Sequence, residues 1–380
     1  MPRGVLPRGA LRKRGLLVRD VIADALCGPN GYFATRLPVL ASHTALPFRE
    51  MTGRADYERA LRERYAERAG FLTPAEIFAP WYSYAAARWA LAWHRVDAVK
   101  ATRAGGVPPP LRVAEFGVGS GAHAVHFLDY VRTTAPEVFA DCRYAGVDAS
   151  QDACANFEAR VRDAHGAVAS AVVADARSEW TLPAGFQDES CPTVVFALEL
   201  LDNLPHDKVR DGFEGWVVDG REDFRPAADS WVRQALALDP VAVAGDAFVP
   251  TGCLQFLARV FEGAPRPRLF LADFSELPRP TGRDGVAANA PLVAAADRDL
   301  DSYLDACGDA DIFFATDFDW LAKAYAAAGG VGAVAAVPPA EFFARTPDLA
   351  AETATRSGFN PMLEDFWNTR IFLASGLGVS

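Results

Sequence analysis

The chain has few of the residues that build metal sites and disulfide frameworks. Only 6 cysteines and 6 histidines occur among its 380 residues. The cysteines are widely scattered without a C-x-x-C pair, and the histidines form no H-E-x-x-H cluster. We therefore expect no metal centre, no disulfide framework and a reducing compartment.

The sequence also lacks long apolar runs and an excess of positive charge. No apolar stretch is long enough for a membrane span. The net charge of −11 at pH 7 argues against non-specific binding to nucleic acid. Hydrophobic residues make up 51% of the chain, which predicts one large globular domain, or one domain with an elaborate insertion. The oligomeric state stays open.

Acidic residues are missing from the N-terminus, where arginine and lysine accumulate before Asp20. An Arg-rich segment poor in acids is typical of an organellar transit peptide. The same segment has no serine and contains Pro2 and Pro7, which favours a basic tail instead. Residues 1–20 are therefore interpreted as a tail or a transit segment, in a mitochondrial or alternatively a cytoplasmic protein.

The most informative motif is LRVAEFGVGSG, residues 111–121, which predicts a strand, a glycine turn and a following helix. Its glycines are Gly117, Gly119 and Gly121; glycine lacks a Cβ, so a ligand can approach the backbone closely. Glu115 would repel the phosphates of a dinucleotide. S-adenosylmethionine (SAM) carries an ammonium and a sulfonium instead, so a carboxylate suits it. The loose dinucleotide fingerprint also fits, which leaves an NAD(P)-dependent oxidoreductase as an alternative.

Three further β-rich runs end near carboxylates. The first ends at Asp148, the second at Asp175, and the third is followed by Glu199 and Asp202. Strands that alternate with helix-length segments predict a parallel sheet whose carboxyl edge binds ligands. We expect an α/β, Rossmann-like fold with a helical N-terminal extension and insertions.

The regions around this sheet predict the domain organisation. Residues 21–110 are expected to form a helical cap, and residues 111–380 the Rossmann-like domain, with an insertion near 209–246. In the cap, Thr73 and Glu76 have capping-box spacing, and a long aromatic helix is expected to continue from them to Trp93. In the insertion, Asp219-Gly220 predicts a β-hairpin.

Four segments together resemble the MidA-like family of SAM-dependent methyltransferases, which includes mitochondrial complex I assembly factors. GPNGYFA is similar to the family's G-G-Y-Y-A stretch, and FLTPAEIF to its F-x-T-x-P-E-I loop. EFGVGSG matches E-x-G-x-G-x-G, and LELLDNLP is similar to N-E-x-x-D-A-L-P. With GFNPMLEDFWNT near the end, the resemblance spans nearly the whole chain.

The chain departs from the family pattern at several positions. Leu198 stands where the family has asparagine, Asn203 stands where it has alanine, and the loop proline is shifted to Pro74. Residues 209–246 do not match the family core. These departures mark a divergent member and weaken the substrate assignment more than the cofactor assignment.

The resemblance implies a class I methyltransferase fold, SAM as cofactor, and a protein substrate with an arginine acceptor on a complex I subunit. A non-catalytic assembly factor that binds SAM is the second alternative. A guanidinium must be held and polarised by carboxylates before it can accept a methyl group. Glu199 is therefore expected to orient the acceptor, with Asp202 as its partner three residues on, on the same face of a helical turn. The alternative is that Glu199 binds the methionine amino group and Asp202 caps the next helix.

The remaining candidates are expected to bind the cofactor. The glycine turn should lie against the methionine part, with Glu115 facing the ammonium. Asp148 should accept the ribose hydroxyls, while Asp175 and Ala176 border the adenine. Thr73 and Glu76 are candidates for closing over the site, although helix capping accounts for them equally well.

Overall fold

The computed structural model describes residues 15–35, 45–66, 72–238, 244–278, 287–295 and 298–376. The chain forms two compact units. The large unit comprises residues 37–200, 259–273 and 330–380, and the small unit comprises residues 1–36, 201–258 and 274–329. Most of the basic N-terminus, residues 1–14, lies outside the described residues.

A seven-stranded sheet organises the large unit. Its order is β13-β14-β10-β5-β2-β3-β4. Strands β10, β5, β2, β3 and β4 are joined in this order by parallel pairs, while β13 pairs antiparallel with β14. The strands are β2 (Arg112–Phe116), β3 (Arg143–Asp148), β4 (Ala169–Val173), β5 (Thr193–Leu198), β10 (Arg268–Phe274), β13 (Val334–Val337) and β14 (Thr369–Ala374). This arrangement confirms the predicted parallel sheet.

Helices pack against this sheet and bury an aromatic core. The ring of Phe196 lies 5.5 Å from Phe127 and 5.2 Å from Phe270 between centroids. Burial of such large rings is a major source of stability. The helices are α3 (Arg54–Ala66), α4 (Pro74–Ile77), α5 (Trp81–Arg103), α6 (Ala122–Thr134), α7 (Pro136–Ala140), α8 (Gln151–His165), α12 (Pro339–Phe343), α13 (Pro347–Ala350) and α14 (Pro361–Glu364).

The small unit is built on an antiparallel sheet in the order β1-β7-β6-β9, with β8 paired to β7 and a separate β11-β12 pair. Asp219 and Gly220 have φ of 49° and 77°, so the predicted hairpin is confirmed. The strands are β1 (Leu16–Leu17), β6 (Asp207–Arg210), β7 (Phe213–Val218), β8 (Arg221–Pro226), β9 (Asp246–Val249), β11 (Leu292–Ala295) and β12 (Ala310–Phe313). The helices are α1 (Val18–Cys27), α2 (Tyr32–Thr35), α9 (Ser230–Leu238), α10 (Thr251–Gly263) and α11 (Phe318–Ala327). Residues 259–263 at the end of α10 are assigned to the large unit.

A buried ion pair fixes the first helix of the small unit. Arg19 in α1 is 7% exposed. Its guanidinium donates to Asp207 at 2.7 Å and to both carboxylate oxygens of Asp229 at 2.8 and 2.7 Å. Thr251 donates its hydroxyl to the same Asp207 oxygen at 2.7 Å. Residues distant in sequence are thus joined around one cation.

The division into units differs from the predicted boundaries. The predicted boundary at residue 110 falls inside the large unit. Residues 15–35 belong to the small unit, because β1 pairs with β7 through Leu16 and Val217. The predicted long helix after Thr73 is also interrupted. It ends at Ile77 and resumes at Trp81, because Pro80 in a helix interior would lack an N–H donor and clash with the preceding turn.

None of the described helices is both long and apolar enough to cross a membrane. The described residues also contain no group of three or more histidine, cysteine or acidic side chains placed to hold a metal ion.

Candidate active site

The three glycines of the turn after β2 have different surroundings. All have positive φ, at 75° for Gly117, 48° for Gly119 and 73° for Gly121. A Cβ on Gly117 would lie 3.3 Å from Leu200, and one on Gly121 would lie 3.2 Å from the backbone of Phe157. A Cβ on Gly119 would meet nothing within 4 Å. Two glycines therefore permit close packing, and Gly119 presents bare backbone to an open space that suits a ligand.

Glu115 lies beneath this turn in the protein interior. It is 3% exposed, and Tyr144 donates its hydroxyl to the carboxylate at 2.7 Å. Burial raises the pKa of Glu115 to about 8; the carboxylate of Asp148 also raises it, while the Tyr144 hydrogen bond opposes the rise. The sequence analysis did not identify Tyr144, whose position on the neighbouring strand β3 supplies the contact.

Asp148 connects the end of β3 to the glycine turn. Its carboxylate accepts the Ser150 N–H at 2.8 Å, and the nearby backbone amides of Gly119 and Val118 also favour its charged form. Burial nevertheless raises its pKa, because desolvation outweighs these hydrogen bonds. The structure thus brings Asp148 together with Gly119, as a shared ligand site requires.

Asp175 and Ala176 lie just beyond β4 and already have partners. Arg177 donates to the two carboxylate oxygens of Asp175 at 3.0 and 2.5 Å. The Ala176 carbonyl accepts the indole N–H of Trp180 at 3.2 Å. An adenine bound here would meet a carboxylate whose charge is balanced by Arg177.

Glu76 links helix α4 to the glycine turn. One carboxylate oxygen accepts the Ser120 hydroxyl at 2.6 Å, and the other accepts the Thr73 N–H at 3.3 Å. The predicted capping box is present. The same side chain therefore caps a helix and contacts the turn, and the two interpretations of Glu76 are compatible.

A narrow cavity opens where β5 and β10 end. Glu199 follows β5 with φ of 52°, and its N–H donates to the Ala272 carbonyl at 2.8 Å. Apart from Glu199 and Asp273, the walls are apolar, aromatic or hydroxyl-bearing. The lining residues are Thr73, Pro74, Ala75, Phe78, Tyr82, Leu198, Glu199, Ala272, Asp273, Pro339, Phe343, Met362, Phe366, Thr369 and Ile371.

The carboxylate of Glu199 is in an environment that disfavours its charge. Burial raises its pKa well above the ordinary value, and the nearby carboxylates of Asp273 and Glu76 raise it further. No hydrogen bond to this side chain opposes the rise within the described part of the chain. A bound cation would remove the electrostatic penalty.

Asp202 is not placed as the sequence predicted. The residues after Glu199 form a bend and turns, so the two acids do not share a helical face. The left-handed backbone at Glu199 turns the chain away from the strand direction, and Asp202 lies in a turn before strand β6 begins at Asp207. Asp202 belongs to the small unit, where it is buried and its carbonyl accepts the Phe314 N–H at 2.9 Å.

Comparisons with known proteins agree with this geometry. Residues 86–336, more than half of the chain, match the model of a family described as "Putative S-adenosyl-L-methionine-dependent methyltransferase". No curated protein matches the sequence.

Two crystal structures from Burkholderia thailandensis are similar over nearly the whole chain. One is of an uncharacterized protein with 16% sequence identity and a TM-score of 0.61; the match covers 96% of this chain and 89% of that protein's chain. Another, with S-adenosyl-homocysteine bound, has 17% identity and a TM-score of 0.61, covering 97% and 92%. At these identities the similarity supports the fold, and the predicted Rossmann-like methyltransferase fold class is confirmed.

Proposed function

Because this chain belongs to the family of SAM-dependent methyltransferases that its residues 86–336 match, we propose that it methylates the guanidinium of a protein arginine held by Glu199. The cofactor and the reaction class follow from the family and agree with the sequence prediction. The family does not favour the NAD(P)-dependent alternative. The arginine acceptor and the residue roles below are our proposal.

The observation that carries the acceptor proposal is the carboxylate of Glu199 inside a largely apolar cavity. The side chain of Glu199 is half-buried and has no hydrogen-bond partner among the described residues; removing a carboxylate from water without a partner costs free energy. A second acid, Asp273, lines the same cavity. A guanidinium brings the missing positive charge and N–H donors in a planar fork that matches carboxylates. A neutral acceptor would leave the free-energy cost of the desolvated carboxylate uncompensated.

The chemistry requires alignment and a destination for one proton. SAM supplies a methyl group on a sulfonium, so that an N–C bond forms at the acceptor while the S–C bond breaks. The methylated guanidinium must lose one proton to return to a single positive charge. Glu199 suits this task because its raised pKa makes it a stronger base than an ordinary carboxylate. Holding the acceptor in line also removes much of the entropic barrier.

We assign the cofactor to the groove along the glycine turn. The open space at Gly119 accommodates the methionine part, and Asp148 is close enough to that turn to accept ribose hydroxyls. Asp175 and Ala176 border the adenine from the end of β4. Glu115 attracts the ammonium of SAM electrostatically from beneath the turn, and the hydrogen bond from Tyr144 holds its carboxylate in place.

The test is transfer of a radioactive methyl group from SAM to peptides that differ only in one arginine or one lysine. We expect Glu199→Gln to reduce transfer to the arginine peptides by about 100-fold, the size expected for loss of a charge-assisted contact in the transition state. SAM affinity should remain. Glu137→Gln, an exposed acid in α7, is the matched control. Methylation of the lysine peptides alone would contradict the arginine proposal.

The role of Asp202 is tested in the same assay. If Asp202 takes part in the reaction, as the sequence predicted, Asp202→Asn lowers transfer with SAM affinity retained. If the protein acts only as an assembly factor, Glu199→Gln will still support its cellular role.

We further propose, from the family resemblance and the basic N-terminus, a mitochondrial protein that acts on a complex I subunit. Deletion of residues 1–14, which leaves β1 and Arg19 in place, should then move the protein from the mitochondrial to the cytosolic fraction. An unchanged distribution would contradict this assignment.

A further inference from the structure

We infer that Asp273 and Tyr82 are specificity-determining residues that, with Glu199, select a planar cation as the methyl acceptor in the cavity at the ends of β5 and β10. This inference rests on the proposed function. Neither residue was predicted from the sequence to belong to the site.

Strand register places Asp273 beside Glu199. In the parallel pair formed by β10 and β5, Ala272 is aligned with Leu198. The next residues are Asp273 and Glu199, which therefore lie at the same edge of the sheet and line the same cavity. Asp273 is 1% exposed, so its carboxylate acts in a poorly solvated environment. A single cation between the strands can contact both acids.

Tyr82 supplies a hydroxyl on another wall of the cavity. Its side chain is 5% exposed and lines the cavity from helix α5. In the described part of the chain its hydroxyl has no hydrogen-bond partner, and the acids that act on it electrostatically are Glu199 and Asp273. Buried tyrosine hydroxyls usually find a partner. An unsatisfied phenol directed into a cavity with two carboxylates therefore indicates a polar ligand.

The aromatic walls narrow the class of ligand further. Phe366 packs edge-on against Phe78 at 5.2 Å, and Phe343 packs against Tyr82 at 5.2 Å. Flat aromatic faces beside carboxylates suit a guanidinium, which stacks on rings and presents five N–H donors in one plane. An ammonium offers three donors around a point charge and is strongly hydrated. We therefore expect guanidinium to bind better than ammonium.

The experiment uses small probes and the full chain saturated with S-adenosyl-homocysteine. Calorimetric titration compares ethylguanidinium, ethylammonium and the neutral isostere ethylurea. We expect the wild type to bind ethylguanidinium most tightly and ethylurea least. Asp273→Asn should weaken the affinity for ethylguanidinium by about 10- to 100-fold, the range expected for loss of a hydrogen bond to a charged group. Ethylurea affinity should change little.

Tyr82→Phe tests the hydroxyl separately. It should reduce the preference for ethylguanidinium over ethylammonium several-fold, because only the planar probe reaches the phenol while contacting both acids. Asp141→Asn, an exposed acid after α7, controls for a change in overall charge. Affinity for S-adenosyl-homocysteine and the thermal midpoint show that each variant is folded.

The outcomes separate this inference from the proposed function. If Glu199→Gln abolishes ethylguanidinium binding and Asp273→Asn leaves it unchanged, the role of Asp273 is wrong and the proposed acceptor stands. If the wild type binds ethylurea as tightly as ethylguanidinium, both fail. If Asp273→Asn does not fold, Asp273→Glu replaces it. That variant should keep charge selectivity at lower affinity, and a loss of selectivity there would overturn the inference.

Discussion

Gly119 differs from the other glycines of its turn because nothing lies where its side chain would be. Substitution at Gly117 or Gly121 would disturb packing against Leu200 or Phe157, so loss of binding there would say little about a ligand. Substitution at Gly119 fills only the space proposed for SAM. This makes Gly119 the informative position in the motif.

We predict that Gly119→Val abolishes calorimetric binding of SAM. A β-branched side chain both blocks the open space and strains a backbone at positive φ. Gly166→Val is the matched control, because Gly166 also has positive φ and open surroundings but caps helix α8. Both variants should lose a similar amount of thermal stability. If Gly166→Val also abolished binding, the effect would be strain and the site assignment would be unsupported.

The sequence predicted several site residues and missed their partners. Glu115, Asp148 and Glu199 were identified because each ends a strand, which is a local signal. Tyr144, Ser120 and Asp273 were not, because each acts through a contact that depends on strand order or on the placement of α4. In particular, Asp273 lies in β10, which pairs with β5 although a long segment of chain separates the two strands. Periodicity cannot specify that pairing.

Among the elements, helix α1 has an unusual anchor at its start. Arg19 brings a buried positive charge between Asp207 of β6 and Asp229 before α9. Burial raises the pKa of Asp207 to about 6, and the adjacent Arg19 opposes this rise. The carboxylate depends on its partner to remain charged in this environment.

We predict that Arg19→Leu lowers the free energy of unfolding by about 3–5 kcal/mol, because it leaves buried acids without their cation. Urea denaturation followed by circular dichroism measures the change. Arg345→Leu, which breaks an exposed pair with Glu341, should cost less than about 1 kcal/mol. Equal effects of the two variants would mean that the buried network contributes no more than a surface pair.

Element boundaries were predicted well where a local signal sets them. Asp219-Gly220 dictates its hairpin, and the glycine turn fixes the start of α6. One prediction failed because the local signal of a proline was outweighed by an aromatic pattern, and another because no local signal marks the change in chain direction. Pro80 separates two helices that the aromatic pattern joined, and Glu199 adopts a left-handed conformation that non-glycine residues rarely use.

At the scale of the whole molecule, buried histidines should govern stability in acid. Burial lowers the pKa of His123 and of His206 to about 3, from an ordinary value of 6.5. Below pH 6.5 the unfolded chain takes up protons that the folded chain does not, so stability falls as the pH falls toward 3. We predict that thermal midpoints decline over this interval, and that His206→Asn flattens the decline. An unchanged slope would contradict this account.

Glu115 contributes the opposite slope at higher pH. Its pKa of about 8 in the fold exceeds the ordinary 4.5, so the unfolded chain ionises first as the pH rises and its contribution to stability is lost between pH 4.5 and 8. Glu115→Gln keeps an acceptor for Tyr144 and removes the titration. We expect the midpoint of this variant, measured without SAM, to rise relative to the wild type from pH 5 to 8. A constant difference would show that Glu115 is ionised throughout.

The sheet of the large unit is assembled from three separate stretches of chain, which has a consequence for synthesis on the ribosome. Strand β5 is translated well before β10, and residues 201–258 of the small unit are made between them. During that interval the edge of β5 that will receive β10 has no partner. Its residues Val194–Ala197 are apolar and buried in the finished protein, so the nascent chain presents an open, hydrophobic edge of the kind that promotes aggregation. Placing β10 after the interruption therefore exposes the nascent chain to aggregation until β10 has been translated.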